Sequence, residues 1–591
     1  MLMRNPLNRL LLIFLLISRF CLPADKKTDI TADEILDHIR YLSSDRLKGR
    51  APGTPGSKNA IRYIEKQWKA VGVLPAGNKG FQQSFEFTSG ISLSGYNRLK
   101  INESRKTFRV KKDFMPLGFS EVGSFSAPVV FAGYGFGVED SVSWNDYNNI
   151  DVAGKWVLVF RGSPDGSGPH STFSGHTPLR KKYMMAKDNG ATGIVFVNPY
   201  NDDSLEEMIP LRFRQSSSGG TIPALHVSRE LAQQLLPKNI VLDDLQDELD
   251  STRSGVSFDL GITVSGAVNL RKKKSKGTNV LGFIRGDGSS NEVIIIGAHM
   301  DHLGYGGDGS GSLRPDVNAI HNGADDNASG TAGLLELAEK LAAKPLKRDV
   351  LFIAFDAEEK GLLGSKHFVD NPVVNLENVV TMINLDMIGR LKDSTLTVGG
   401  TGTSPLFEPI LDSLQKKHKL NIAYSKEGFG PSDHSSFYAK DIPVLFFFTG
   451  THEDYHKPSD DWEKINANGE QKILELVYDV TTLVGALEEK PLFTTAGPKK
   501  RPQGRRGFKV TFGIIPSYGS GGPGLKIDGV RPDGPAETAG IIGGDTLIEI
   551  GGKDVQDIYD YMHRLGELKK GQSVDVKVKR GEETLSFTVN L

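Results

Sequence analysis

The sequence predicts a multidomain chain with an α/β core, in which a mixed sheet is covered by helices on both faces. Three observations support this fold class. The chain has 591 residues, enough for roughly four domains at about 150 residues each. Buried strands alternate with helical segments between about residues 280 and 490, as in sheets covered on both faces. Short strands with many Gly, Asn and Asp turns flank this core region on both sides.

The predicted strands of the core region are short apolar runs. They cover residues 280–284, 293–296, 350–355, 382–385 and 444–448. A helix is predicted over residues 334–343. Two further helices are predicted near the N-terminus, and the first begins after Thr31, where Glu34 can complete a capping box.

The composition is that of an ordinary globular protein. Hydrophobic residues make up 38% and charged residues 24% of the chain, which excludes a disordered tail and a multi-span membrane protein. The 71 basic and 72 acidic residues nearly cancel, so no global basic field attracts nucleic acid. We therefore expect no nucleic-acid partner.

The first 24 residues have the pattern of a secretory signal peptide. Arg4 and Arg9 precede eight consecutive apolar residues at positions 10–17, a run too short to span a membrane. Cleavage after Ala24 would leave a mature chain without a transmembrane span, and a lipid anchor on Cys21 is the alternative. We expect an exported protein that is periplasmic, envelope-associated or extracellular.

Side chains that can bind metals follow four of the predicted core strands, and another lies in the loop that starts a helix. They are His299, Asp301 and His302 after strand 293–296, Glu358 and Glu359 after strand 350–355, Asp386 after strand 382–385, His452 and His456 after strand 444–448, and Asp326 in the loop. In an open α/β sheet, ligands bind in the crevice beyond the carboxyl ends of the strands. We therefore expect these side chains to converge.

These residue types suit divalent metal ions. Cys21 is the only cysteine and lies in the predicted signal peptide, so imidazoles and carboxylates must hold any metal. Two imidazoles and three carboxylates fit a pair of zinc ions, and a bridging carboxylate would let both ions activate one water molecule. Each residue alone has a simpler interpretation, such as helix capping by Asp326. The metal site is favoured because the residues recur together at strand ends.

Six motifs in the core region are similar to those of secreted aminopeptidases that use two co-catalytic zinc ions. They are HMDHLG at residues 299–304, GADDNASG at 323–330, AEEKGLLGS at 357–365, NLDMIG at 384–389, SDH at 432–434 and YHKPSD at 455–460. The motifs occur in the order found in this family, which belongs to the metallopeptidase clan that also holds glutamate carboxypeptidase and glutaminyl cyclase. The resemblance implies a phosphorylase/hydrolase-like zinc-exopeptidase fold for the core.

The resemblance also implies a set of metal ligands. Asp326 would bridge two Zn²⁺ ions, His299 and Asp386 would complete one site, and Glu359 and His456 would complete the other. The same likeness implies a cis peptide bond after Asp326. Asp325 and His302 match the motifs but are interpreted as supporting residues, and His321 and His452 as loop residues.

Three more matched residues would serve the reaction. Glu358 would be the general base and acid, because the family places it beside the metals without ligating them. Asp301 would hold the second nitrogen of the His299 imidazole. Tyr455 would donate a hydrogen bond to the scissile carbonyl.

Two accessory domains are implied by further resemblances. The segment with Gly133-Tyr134-Gly135 and IDVAGKWVLV at 150–159 is similar to an inserted protease-associated domain, which acts as a lid, a spacer or a substrate-recruiting module. The last 85 or so residues resemble a small α+β PDZ domain, with Phe512, Gly513, Ile514 and Ile515 at the loop that binds peptide carboxylates.

These assignments divide the chain into six segments. They are a signal peptide (1–24), the first part of the catalytic domain (25–120), a mostly β insertion (121–267), the second part of the catalytic domain (268–490), a linker (491–506) and the PDZ domain (507–591). We expect an exported zinc aminopeptidase that acts on peptides with free N-termini. A carboxypeptidase, a glutaminyl cyclase and an inactive interaction protein are the alternatives.

Overall fold

The computed structural model describes most of the chain. The described residues are 29–102, 105–138, 144–166, 172–173, 176–201, 207–213, 221–307, 309–497, 510–516, 524–530, 534–555, 561, 564–565 and 568–591. The predicted signal peptide, Cys21 and residues 498–506 of the predicted linker lie outside these ranges. No helix in the described ranges combines the length and apolar character needed to cross a lipid bilayer.

Within the described residues, the core contains a nine-stranded mixed sheet. Eight strands lie in the order Leu74–Pro75, Leu270–Ile284, Asp349–Phe355, Val293–His299, Val379–Leu385, Val444–Phe448, Thr395–Gly399 and Asn421–Ser425, and the ninth, Gln82–Leu93, pairs with Leu270–Ile284. The central strands from Asp349–Phe355 to Val444–Phe448 pair in parallel. Their carboxyl ends therefore meet at the same end of the sheet.

Helices cover both faces of this sheet. Successive residues of a strand point to opposite sides, so the apolar strands present apolar side chains on both faces. Ile294 and Ile296 join the apolar cluster on one face, and Ile295 joins the cluster on the other. The helices on the first face are Ala32–Leu42, Pro55–Ala70, Gly330–Ala343, Phe407–His418 and Ala467–Ala486, and those on the second are Leu363–Asp370 and His434–Tyr438. Short helical turns lie at Asp45–Arg50, Ala324–Ser329, Leu376–Asn378, Thr401–Thr403 and Trp462–Lys464. The predicted α/β fold is confirmed.

The strand that carries His299 is longer than predicted. The apolar run stops at Ile296, but the strand continues through Gly297 and Ala298 to His299. It does so because the neighbouring strand pairs with it residue by residue, up to His299 opposite Phe355. Sheet pairing here overrides the weak strand propensity of glycine and alanine.

The first helix begins as the sequence predicts. The Thr31 side chain accepts a hydrogen bond from the backbone N–H of Glu34 at 3.2 Å. The Thr31 hydroxyl also donates to the Glu34 carboxylate at 2.7 Å. This N-cap fixes the start of the helix, whose last residue, Leu42, lies close to the functional site.

The inserted region forms its own sheet. Among the described residues, eight strands lie in the order Phe108–Arg109, Arg98–Ile101, Ser257–Val268, Gly123–Ala132, Trp156–Phe160, Gly193–Val197, Ala224–Val227 and Phe114–Pro116. The helices Leu179–Asp188, Arg229–Leu235 and Leu242–Thr252 pack against it, and Gly137–Val138 pairs with Trp144–Asn145. Three strands of this sheet precede residue 121, so the sheet reaches beyond the segment predicted for the insertion. The helices and the central parallel pairings also give the insertion more α/β character than expected.

The C-terminal unit is a small α+β structure. Its described strands are Ile514–Pro516, Leu525–Val530, Thr546–Ile550, Lys553–Asp554, Ser573–Arg580 and Glu583–Asn590, and its described helix is Pro535–Ala539. Phe512 is buried in the apolar core of this unit, while Gly513 has a φ of 74° and leads into the strand that begins at Ile514. The backbone of Ile515 pairs with Gly529 in the next strand. The apolar spacing of the sequence also predicts a helix near residues 558–565, most of which lies outside the described residues.

Candidate metal centre

The carboxyl ends of the central strands bring the predicted metal-binding residues together. They are His299 at the end of its strand, Glu358 and Glu359 after Asp349–Phe355, Asp386 after Val379–Leu385, His456 in the loop after Val444–Phe448, and Asp326 in the turn Ala324–Ser329. This turn precedes the helix Gly330–Ala343, which packs against the same strands. The sheet topology thus gathers side chains that are far apart in sequence.

One group of ligands forms around His299. Its Nε2 lies 3.3 Å from Asp326 Oδ1 and 3.3 Å from Asp386 Oδ1. Two ligands of one tetrahedral zinc ion, each bonded at about 2.0–2.1 Å, are about 3.3 Å apart. Burial opposes protonation of His299, but the carboxylates of Asp386 and Asp326 raise its pKa well above the usual range. The three side chains fit one cation.

A second group forms on the other oxygen of Asp326. His456 Nε2 lies 3.2 Å from Asp326 Oδ2 and 3.3 Å from Glu359 Oε2. Burial lowers the pKa of His456, but the Glu359 and Asp326 carboxylates outweigh it and raise the value to about 11. Burial raises the pKa of Glu359, and His456 more than reverses this, to about 2. Each oxygen of Asp326 therefore faces a different imidazole, which is the arrangement that a bridging carboxylate needs.

His302 also approaches this second group, but its geometry differs from that of His456. Its Nδ1 lies 2.7 Å from Glu359 Oε1 and 3.9 Å from Asp326 Oδ2. The shorter distance is a hydrogen bond, well below the separation of about 3.3 Å expected for two ligands of one zinc ion. Although His302, Asp326 and Glu359 are close enough to hold a metal, the distances favour His456 as the ligand and His302 as the partner that orients Glu359.

Hydrogen bonds fix the tautomers of the two imidazoles that face Asp326. His299 Nδ1 lies 3.2 Å from the carbonyl oxygen of Asp301, and His456 Nδ1 lies 2.9 Å from that of Gly311. A carbonyl oxygen only accepts, so each Nδ1 donates and each Nε2 presents a lone pair to a metal. Both rings are therefore set for metal binding through Nε2.

The support that Asp301 gives to His299 comes from a different atom than the sequence predicts. The Asp301 carboxylate is 3.9 Å from His299 Nδ1, farther than the Asp301 carbonyl. Instead, Asp301 Oδ1 accepts a hydrogen bond from the backbone N–H of Glu358 at 3.0 Å. Burial raises the pKa of Asp301 to about 6. The backbone of the strand end turns the carbonyl toward the ring, which the residue type alone could not indicate.

Hydrogen bonds from side chains hold the turn that presents Asp326 in place. The peptide bond between Asp326 and Asn327 is cis, as predicted. Asp460 Oδ2 accepts from the backbone N–H groups of Asp325 and Asp326 at 3.0 and 3.1 Å. Asn327 Nδ2 donates to the carbonyl of Leu385 at 3.0 Å, which ties the turn to the strand end before Asp386.

The residues expected to serve the reaction lie beside the two groups. Burial raises the pKa of Glu358 well above its usual value, and the nearby Asp433 and Glu359 carboxylates add to this effect while His299 opposes it. The Tyr455 ring stacks on the His456 ring, with centroids 3.9 Å apart. Burial also raises the pKa of Tyr455, so its hydroxyl is a neutral hydrogen-bond donor.

The motif residue Asp325 and the predicted loop residues His321 and His452 make other contacts. Asp325 accepts from the backbone N–H of Gly389 at 2.7 Å and pairs with His452 Nε2 at 3.1 Å. His321 lies 2.8 Å from the hydroxyl of Ser312 and 3.0 Å from the carbonyl of Ala319. None of these contacts is with the two groups around Asp326.

A cavity of about 780 Å³ opens onto the two groups. Its lining includes His299, Asp326, Glu358, Glu359, Asp386, Tyr455 and His456. An apolar part of the lining comes from Met387, Phe429, Phe446 and Phe448. The cavity therefore combines a polar floor with an apolar wall, as small-molecule and peptide sites commonly do.

Sequence reasoning assigned no role to two residues that organise this site. Asp460 ends one of the quoted motifs, so its position was visible although its backbone contacts were not. Arg50 lies in a polar stretch near the N-terminus, more than 200 residues from the motifs, and is buried beside them. Nothing in the local pattern around Arg50 distinguishes it from an exposed arginine.

The fold and the site together define a class of protein. A mixed α/β sheet with two His-and-carboxylate groups at the carboxyl ends of its parallel strands is a zinc hydrolase scaffold. Residues 279–481 match the family model of peptidase family M28, residues 125–235 match the PA domain and residues 504–591 match the PDZ domain. The chain therefore contains a peptidase family M28 region at residues 279–481, a PA domain match before it and a PDZ domain match after it.

Several characterised proteins are similar over most of the chain. An aminopeptidase from Pseudomonas aeruginosa (strain UCBPP-PA14) is 26% identical over 430 residues, or 70% of this chain and 69% of the relative. Aminopeptidase YwaD from Bacillus subtilis (strain 168) is 26% identical over 63% of this chain and 70% of its own length. The probable lipoprotein aminopeptidase LpqL from Mycobacterium tuberculosis is 25% identical over 71% of this chain and 74% of its length.

Two solved aminopeptidase structures have a lower sequence identity to the chain. The aminopeptidase from Aneurinibacillus sp. strain AM-1 is 23% identical, covers 79% of this chain and 96% of its own, and has a TM-score of 0.48. A zinc aminopeptidase from Bacillus subtilis is 22% identical, covers 79% and 97%, and has a TM-score of 0.45.

Proposed function

We propose that this chain is an aminopeptidase that hydrolyses peptides with free N-termini and holds two zinc ions. Asp326 would be shared by both ions, His299 and Asp386 would complete one site, and Glu359 and His456 would complete the other. The observation that carries the proposal is the position of the Asp326 carboxylate, whose two oxygens lie 3.3 Å from His299 Nε2 and 3.2 Å from His456 Nε2. The names of the relatives and the family membership support the same reaction.

The chain's own residues supply proton transfer and polar stabilisation. When bound, zinc would acidify the attacking water and polarise the scissile carbonyl. Glu358 accepts the proton of that water and delivers it to the leaving amine, a task that suits a carboxylate whose pKa is raised. The Tyr455 hydroxyl donates to the carbonyl oxygen as negative charge develops there.

The substrate's N-terminus is expected to be unmodified. Glu358 lines the cavity and is not assigned to a metal ion, so its carboxylate can attract the positively charged ammonium group of a free N-terminus. An acetylated N-terminus lacks that charge. The cavity would therefore favour removal of single residues from free N-termini over internal cleavage.

Two accessory functions belong to the same proposal. The PDZ domain binds the C-terminal segment of a peptide at the loop formed by Phe512, Gly513, Ile514 and Ile515, where backbone N–H groups can hold a carboxylate. The inserted PA domain acts as a lid, spacer or recruiting module. Export of the chain remains part of this proposal, as do the predicted domain boundaries, except that the insertion begins before residue 121.

The test combines metal analysis with matched substrates. Purified protein should contain two zinc ions per chain and hydrolyse leucyl-p-nitroanilide, and a chelator should abolish this activity until zinc is restored. N-acetyl-leucyl-p-nitroanilide is the control substrate and should not be cleaved. Cleavage of a blocked peptide from its C-terminus would favour a carboxypeptidase, and cyclisation of N-terminal glutamine a cyclase. A metal-free, inactive protein would favour an interaction module.

A further inference from the structure

Arg50 is a fully buried arginine whose guanidinium is surrounded by backbone carbonyls. It is 1% exposed. Its Nε donates to Met300 O at 2.9 Å, and its Nη2 donates to Gly323 O at 2.8 Å. Its Nη1 donates to the carbonyls of Leu42 and Asn322, both at 2.6 Å. Within the described part of the chain, Arg50 makes no ion pair.

Three of these four carbonyls belong to the two segments that carry proposed metal ligands. Met300 lies between His299 and Asp301, so the bond from Nε holds the end of the His299 strand. Asn322 and Gly323 directly precede the turn that presents Asp326. The planar guanidinium group of Arg50 therefore links the two backbone segments that carry His299 and Asp326, whose side chains lie 3.3 Å apart.

The turn that delivers Arg50 is itself specialised. Lys48, Gly49 and Arg50 all have positive φ values, of 49°, 65° and 47°. A Cβ atom on Gly49 would lie 2.4 Å from the carbonyl oxygen of His321, so no larger residue fits without movement. Non-glycine residues in this conformation persist only where surrounding contacts hold them. The contacts that hold this turn are with the loop between the two ligand segments, including Gly304 N–H to Gly49 O at 3.0 Å.

The charge of Arg50 also matters to the site. Burial lowers its pKa to about 10, and the Asp326, Asp301, Asp460 and Glu359 carboxylates act in the opposite direction. The guanidinium is thus positively charged at neutral pH. It offsets part of the negative charge gathered around the two groups without contacting a ligand side chain.

We propose that Arg50 is a positioning residue, which sets the separation of His299 and Asp326 by tying their backbone segments together and to Leu42. It touches neither substrate nor metal. This inference rests on the metal site proposed above. It predicts that the N-terminal segment, which lies outside the matched family region at 279–481, contributes to metal affinity by positioning the ligands.

The test compares two buried arginines. R50K keeps the charge but loses the fork that reaches all four carbonyls. R348K is the matched control, because Arg348 is also buried and donates to the carbonyls of Val484 and Leu487, but precedes the strand Asp349–Phe355 at the end away from the site. Zinc affinity is measured by competition with a chelator, the Co²⁺-loaded proteins give an absorption spectrum, and thermal unfolding reports stability.

We expect R50K to bind zinc about 10–100-fold more weakly, the loss typical when an outer partner of a metal ligand is changed. Its cobalt spectrum should change, whereas R348K should lower the melting temperature and leave affinity and spectrum unchanged. Equal zinc affinity in R50K and wild type, or an equal loss in R348K, would overturn the assignment of Arg50. A wild-type protein that binds no zinc would instead overturn the proposed function.

A measurement on the wild-type chain covers the case in which R50K does not fold. Hydrogen exchange is followed with and without Zn²⁺. Residues 40–50 should become protected together with residues 298–304 and 320–328, while the segment around Arg348 should not change. Protection of the two ligand segments without any change at residues 40–50 would contradict the proposal.

Discussion

His302 Nδ1 lies 2.7 Å from Glu359 Oε1, a hydrogen bond that leaves the other Glu359 oxygen facing His456. The motif around His299 therefore supplies two histidines with different tasks. One faces the bridging carboxylate directly, and the other orients a carboxylate of the opposite group. The distinction rests on the distances to Glu359, which are 2.7 Å from His302 and 3.3 Å from His456. It leads to a prediction that separates the two roles.

Replacing His302 and His456 should have different effects on metal content. H456Q removes a proposed ligand, so we expect it to retain one zinc ion per chain. H302Q removes only the partner of Glu359, so we expect two ions bound about 10-fold more weakly. Metal analysis after dialysis against a graded series of chelator concentrations measures both. If H302Q lost one ion and H456Q kept two, the ligand assignment would be reversed.

Glu358 should be needed for turnover but not for metal binding. E358Q cannot accept a proton, and removing a general base typically slows turnover by about 10²–10⁴-fold. We therefore expect kcat for leucyl-p-nitroanilide to fall by about 10²–10⁴-fold or more, with two zinc ions still bound. E377Q, at an exposed glutamate in a short helical turn, is the control and should match wild type. Normal turnover by E358Q would remove Glu358 from its role.

Tyr455 should act mainly on the chemical step. Y455F removes the hydroxyl but retains the ring that stacks on His456. Loss of one donor to a developing oxyanion typically lowers kcat by about 10²-fold or more. We expect that loss with little change in KM, measured by steady-state kinetics. A change in KM alone would show that the hydroxyl contributes only to substrate binding.

The apolar wall of the cavity should select large apolar residues at the cleaved N-terminus. Phe448 lines the cavity together with Phe446 and Met387. F448A removes apolar surface from this wall, so kcat/KM for leucyl-p-nitroanilide should fall about 10-fold or more, as expected for differences of about 1–3 kcal/mol in an apolar pocket. Alanyl-p-nitroanilide is the matched substrate and should be affected less. An equal loss for both substrates would indicate general damage to the site.

The inserted PA domain should lose stability in mild acid because of His226. This residue is buried, its Nδ1 accepts from the backbone N–H of Ile209 at 2.9 Å, and burial lowers its pKa to about 3. The unfolded chain takes up this proton near pH 6.5, so its contribution to stability is full above pH 6.5 and is lost as the pH falls toward 3.

Urea unfolding at pH 7 and pH 5.5 measures this effect. Wild type should lose about 1.3 kcal/mol between these values from His226 alone, because the loss of about 1.4 kcal/mol per pH unit begins only near pH 6.5. H226Q has no titrating group at this position, and its stability should depend less on pH over the same interval. Identical pH slopes for the two proteins would show that His226 does not titrate differently in the folded state.

The site was largely predictable because its residues sit in short motifs at strand ends. His299, Asp326, Glu359, Asp386 and His456 were all assigned through the resemblance of their motifs to the family, and the structure brings them within ligand distance of their neighbours. The atom of Asp301 that supports His299 was not predictable, because it depends on how the backbone turns after the strand. The contact of His302 with Glu359 was likewise not predictable, although the resemblance had already assigned His456 as the ligand.

The boundaries of the inserted domain were also not predictable from local sequence. Its parallel strands and helices were expected only as short β segments, since a five-residue apolar run looks alike in parallel and antiparallel sheets. The strand Arg98–Ile101 joins this sheet through pairing with Ser257–Val268, more than 150 residues away. Local sequence carries no signal for such a partner.

The sequence by itself predicted the class of fold, the residue types of the candidate metal centre and, through the family resemblance, Glu358 as its proposed catalytic carboxylate. These features are local, because periodicity and motif order are written in neighbouring residues. The tertiary structure alone decided which imidazole faces each oxygen of Asp326 and that Arg50 ties the two ligand segments together. Those facts depend on backbone atoms brought together from distant parts of the chain, and packing in three dimensions is what selects them.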